Sequence, residues 1–133
     1  MVAFPLLLIA FAIYNMVAFL LPGTSWTAAV FSLGMPSGVI WSISASDLLI
    51  AFALFLLFFE VLKAARNTAR SIFDHVLSTL IFIGALVEFL LVPEAGTSTF
   101  AILLIIALVD VLGGWSVAVR TSRRDISIDP YAQ

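Results

Sequence analysis

Asp110, Glu88 and Asn15 are the residues of this sequence placed to do chemistry, because each interrupts an otherwise apolar run. A charged side chain at the centre of a membrane span costs about 2.5–3.5 kcal/mol on the insertion scale, so a carboxyl there needs either a task or a partner. Asp110 stands ten residues before Arg120, roughly 15 Å from that cation at 1.5 Å of rise per residue. No helix start is near enough for it to act as a cap. Two chemistries suit an acid at that depth. One is a proton or cation site; the other, which the sequence favours, is an interhelical hydrogen bond from a protonated carboxyl to Asn15 or a serine. Glu88 lies five residues before Pro93, close enough to an interface to reach headgroups by extending its chain. No Lys or Arg stands at the depth of these three residues, so a convergence of them would call for protonation, water, a cation or another chain.

The remaining polar residues read as structural. Ser44-x-x-Asp47 and Ser71-x-x-Asp74 have capping-box spacing and mark helix starts. Glu60 precedes Lys63 by one turn, which predicts a weak surface pair. His75 is the only histidine and the chain has no cysteine, so zinc-ligand spacing is absent and a surface histidine is expected. No base stands near Ser42, Ser44 or Ser46, so no serine nucleophile is assembled. There is no phosphate-binding glycine loop, and the basic clusters are too small to address nucleic acid. The sequence therefore predicts no enzyme, no cofactor, no metal and no nucleic-acid partner.

The elements that position these residues follow from composition. The 133 residues are 63% hydrophobic and 11% charged, against about 45–50% and 25% in soluble domains. That predicts an all-α polytopic membrane protein, a four-transmembrane-helix bundle with short loops and a single membrane domain over 1–133. Spans are expected at about 4–21, 44–63, 72–92 and 99–119, with a polar tail over 121–133. Segment 24–42, broken by Gly34, Pro36 and Gly38 and bracketed by Trp26 and Trp41, reads as an interfacial loop or short surface helix. Small residues mark the packing faces: Ser78 and Ala85 on span 3, with Ala107, Gly113 and Gly114 beside Asp110 on span 4. Leu103 is placed on a different face of that span.

All six cations stand in two clusters, Lys63, Arg66 and Arg70, then Arg120, Arg123 and Arg124. Cations flanking spans collect on the cytoplasmic side, so both termini are expected inside a plasma or inner membrane. The functional expectation is a small structural or accessory component that packs against lipid, against copies of itself or within a larger complex. The alternative is a minimal proton- or cation-linked channel or transporter using Asp110 with Glu88 and Asn15.

Overall fold

The computed structural model describes residues 5–66 and 72–128, with side chains over 5–63 and 73–116. Arg66, Arg70, Arg120, Arg123 and Arg124 have side chains outside the described residues, and Ser71 lies outside them altogether. Helix α1 spans Leu7–Leu20, strands β1 Ala29–Gly34 and β2 Ile40–Ser44, and helices α2 Ala45–Arg66, α3 Ile72–Leu91 and α4 Ser98–Ile128. A single 3₁₀ turn, Pro93–Ala95, joins α3 to α4.

Three of the helices contain stretches long and apolar enough to cross a membrane: Ala45–Lys63, Phe73–Leu91 and Ser98–Ser116, each of 19 residues. Helix α1 has only 14 residues, about 21 Å against a hydrocarbon core of about 30 Å. Its inward residues Leu7, Ala10, Phe11 and Tyr14 recur at helical spacing. On α2 the corresponding stripe is Leu49, Ala53, Leu56 and Glu60, while Phe52, Phe55, Phe58 and Phe59 point outward. Helix α4 packs on both α2 and α3, and α1 lies against α2 and α4. Its buried row runs through Phe100, Leu103, Ala107 and Val111. Leu103, 2% exposed, thus shares the face of Ala107; a four-residue step returns to the same side of a helix. α4 continues to Ile128, so the segment expected as a tail from 121 is helical backbone to that point.

The all-α expectation needs one correction. Segment 24–42 forms neither a loop nor a surface helix; most of it is an antiparallel hairpin, with Leu33 opposite Trp41 and Ser32 opposite Ser42. The alternation Phe31-Ser32-Leu33-Gly34 and Trp41-Ser42-Ile43-Ser44 has the two-residue period of a strand. Pro36 presets the turn, and Gly38 closes it at φ +92°, where its N–H donates to Met35 O at 2.9 Å. Nearly every residue of both strands is exposed, including Val30, Phe31, Leu33, Ile40 and Trp41.

The start of α2 is the capping box that the spacing predicts. Ser44 N–H donates to Asp47 Oδ2 at 3.0 Å, and Asp47 N–H donates to Ser44 Oγ at 3.1 Å. Two donors left over by the helix are satisfied reciprocally. A third, Ser46 N–H, donates to Trp26 O at 2.9 Å and ties the hairpin's lead-in to α2.

Candidate functional site: two polar layers in an apolar bundle

Three contacts fix the relative heights of the helices. Thr99 Oγ1 donates to Ser46 Oγ at 2.8 Å, which aligns the starts of α2 and α4. The rings of Phe89 and Phe100 stack with centroids 6.2 Å apart. Gly114 backs onto His75, whose Nδ1 would lie 2.8 Å from a Cβ at that glycine. Two polar layers result, one at the hairpin end and one at the end carrying Lys63.

The hairpin-end layer is centred on Tyr14, which is fully buried at 0% exposure. Its hydroxyl donates to Glu94 O at 2.8 Å and lies 2.8 Å from Thr97 Oγ1. Thr97 Oγ1 also accepts the Phe100 N–H at 3.2 Å, the bond of an N-cap residue for α4. The Tyr14 ring stacks on Trp26 with centroids 4.7 Å apart and meets Phe100 edge-on at 5.0 Å. One side chain thereby joins α1, the hairpin's approach, the α3–α4 turn and the first turn of α4. Beside it, Asn15 Nδ2 donates to Phe11 O at 3.0 Å and to Glu88 Oε1 at 3.4 Å. Glu88 is half-buried and accepts this interhelical bond from Asn15. Asn15 Oδ1 is buried without a hydrogen bond among the described residues.

The opposite layer departs from expectation at two residues. Glu60 is 0% exposed, not a surface acid, although Lys63 Nζ does lie 3.3 Å from its Oε1. Neither Glu60 oxygen accepts a hydrogen bond among the described residues. His75 is 5% exposed, not a surface histidine. Its ring packs on Trp115 at 5.4 Å and against Gly114. Trp115 Nε1 donates to Thr79 Oγ1 at 2.8 Å, and Thr79 Oγ1 donates to His75 O at 2.8 Å. Asp74 and Ser78 are buried in the same region, and Ser78 Oγ has no hydrogen bond there.

Asp110 is half-buried, one turn before Gly114, and has a partner of its own. From the Phe89–Phe100 and His75–Gly114 pairs, its height differs from that of Glu88 by roughly 14 Å. The space between is filled by Ala53, Leu56, Ala85, Leu103, Leu104 and Ala107, all buried and apolar. The structure therefore brings Asn15 and Glu88 together and leaves Asp110 apart. Of the expected packing residues, Ser78, Ala85 and Ala107 are buried and Gly114 makes a close approach. Gly113 does not: a Cβ there would meet nothing within 4 Å, because it faces away from the helix contact. Among the described residues no group of three or more His, Cys, Asp or Glu is arranged to hold a metal.

Sequence reasoning missed Tyr14, Thr97 and Trp115. A threonine just before an apolar run is an N-cap signal that identifies Thr97. Tyr14, in the row of Leu7, Ala10 and Phe11, is recognisable as inward from spacing alone. Nothing in the sequence pairs Trp115 with His75.

Comparison of the chain with protein-family models, with characterised proteins and with solved structures gives no match in any of the three.

Proposed function

We propose that the chain is a small integral membrane protein that acts by packing, as a structural or accessory component of a homo-oligomer or a larger membrane complex. The observation that carries this reading is the separation of the two polar layers by an apolar one. A conducting path joining Asp110 to Glu88 and Asn15 would have to pass that layer, whereas a packing role requires only that each polar group join helices locally, as Tyr14, Thr97, Asn15 and Thr79 do. Between lipid-exposed helices the drive to associate is close packing and hydrogen bonding, and the outward faces of α2 and the hairpin supply apolar surface for it. In this reading α1 is the fourth, shallower span. Both termini are cytoplasmic in a plasma or inner membrane, with the hairpin on the outer side, because every Lys and Arg flanks the opposite end. The test is purification in mild detergent or native nanodiscs with mass determination. A species larger than one chain, or stoichiometric co-purifying protein, is expected; a monodisperse single chain under all such conditions would overturn the proposal.

One observation favours the alternative of proton- or cation-linked conduction, relocated to the Lys63 end. Glu60 is fully enclosed, with the Lys63 ammonium 3.3 Å from Oε1 and no hydrogen bond to either carboxylate oxygen among the described residues. An enclosed acid beside a cation is an arrangement seen along proton and ion paths. Flux across proteoliposomes under imposed proton and sodium gradients, lost in Glu60→Gln, would support it; wild-type vesicles no leakier than empty ones would dismiss it.

A further inference from the structure

We propose that the cleft between the end of α1 and the Pro93–Thr97 turn binds an ammonium cation, with the Trp26 ring and the Glu94 carboxylate as its two recognising groups. The cleft holds about 220 Å³ and is lined by Ala18, Leu21, Thr24, Trp26, Glu94 and Thr97, among others. Drug-sized ligands occupy pockets of about 300–1,000 Å³; this one suits a headgroup-sized ion.

Three features define the ligand's chemistry. The first is charge. Glu94 is exposed, and its carboxylate makes no hydrogen bond or ion pair among the described residues, since only its backbone oxygen is engaged, by Tyr14. The other acids at that end are engaged already, Asp47 by the Ser44 N–H and Glu88 by Asn15. No Lys or Arg occurs anywhere in residues 1–62 or 71–119. The Glu94 charge is therefore not neutralised by any Lys or Arg of these segments and stays open to a cation from outside the chain.

The second feature is the aromatic wall. Tyr14 covers one face of Trp26 in a near-parallel stack, 6° between planes, and holds the indole in place. Trp26 lines the cleft and Tyr14 does not. Indole is the best aromatic partner for an organic cation, within about 6 Å of its centroid. The third feature is a mixed lining, in which Ala18 and Leu21 offer apolar surface to the carbons of an alkylammonium while Thr24 and Thr97 border the rest. Phosphatidylethanolamine or phosphatidylcholine headgroups and free alkylamines all carry this chemistry.

The test uses the full chain with Trp41→Phe and Trp115→Phe, so that Trp26 alone reports. Titration with tetramethylammonium chloride, at ionic strength held constant with NaCl, should change its fluorescence saturably. Glu94→Gln should weaken that binding roughly tenfold, as expected for loss of one close charge at an interfacial site, with an unchanged melting temperature. Native mass spectrometry from nanodiscs then separates the sources. Retention of phosphatidylethanolamine or phosphatidylcholine over phosphatidylglycerol, lost in Glu94→Gln, identifies a lipid headgroup, whereas saturable tetramethylammonium binding without lipid preference identifies a free amine. A non-saturable response, or equal affinity in wild type and Glu94→Gln, overturns the site.

Discussion

The Tyr14 hydroxyl and Thr97 Oγ1 lie 2.8 Å apart although 83 positions separate them in the chain. Thr97 caps α4 through the Phe100 N–H, so its remaining hydrogen-bonding capacity is directed at Tyr14, whose hydroxyl donates a hydrogen bond to Glu94 O. Tyr14→Phe keeps the stacking on Trp26 and removes both hydroxyl contacts. Two part-buried groups, Glu94 O and Thr97 Oγ1, then lose a partner, at a cost of about 0.5–1.5 kcal/mol. Thermal unfolding in detergent should show the loss, while Leu8→Ala on the exposed side of α1 should change little. Equal melting points for Tyr14→Phe and wild type would show that the hydroxyl ties nothing together.

The two adjacent glycines of α4 should behave oppositely. A Cβ on Gly114 meets His75 Nδ1 at 2.8 Å, whereas one on Gly113 meets nothing. Gly113→Ala should stabilise by up to about 1 kcal/mol through helix propensity alone. Gly114→Leu should push α3 from α4, weaken assembly and alter the emission of Trp115. Ile105→Leu, on the outward face, is the control. Identical stability curves for the two glycine variants would remove the basis for a close α3–α4 approach.

Loss of either half of the Ser44–Asp47 box should cost about 0.5–2 kcal/mol. Ser44→Ala and Asp47→Ala should each speed amide exchange at the first turn of α2, and the double variant should cost less than the sum, because the bonds are reciprocal. Strict additivity would mean that the two bonds act independently.

Asn15 and Glu88 should couple, and Asp110 should not couple to either. A double-mutant cycle on Asn15→Leu and Glu88→Leu should return about 0.6–2 kcal/mol. Glu88→Gln with Asp110→Asn should be additive within about 0.5 kcal/mol, as for sites with no shared partner. Strong coupling in the second cycle would indicate a connection through the apolar layer.

The proposed orientation is checked by single cysteines at Ser32, Thr97, Asn67 and Ser127 and an impermeant thiol reagent on intact cells. The first two should be labelled and the last two protected. The reverse pattern would invert the protein in its membrane.

The helical segments were legible in the sequence because long apolar runs bounded by Pro22-Gly23, by cations and by Pro93 leave few alternatives. The Ser44–Asp47 box was legible because capping is a local interaction between residues three apart. The hairpin was misread although its two-residue alternation is present, since Gly34, Pro36 and Gly38 drew attention to irregularity and not to the strands they connect. Glu60 and His75 were misread for another reason. Their type and position near cations suggest a surface, and only the absence of a side chain at Gly114, on another helix, lets His75 lie inside. Asn15 and Glu88 were singled out individually, but their pairing depends on the relative heights of α1 and α3, which no single segment encodes.

The hairpin has an electrical consequence. Residues 1–46 contain no Asp, Glu, Lys, Arg or His. In the proposed orientation, carrying β1 and β2 to the outer side moves no side-chain charge through the membrane field, so voltage does no work on that step. The Pro93–Thr97 turn differs by one charge, Glu94, and an inside-negative potential favours its outward passage by about 2.3 kcal/mol per 100 mV. Passage of the hairpin itself is therefore indifferent to the energised state of the membrane, whereas passage of the carboxylates carried to the same end, Asp47 and Glu94, is assisted by it.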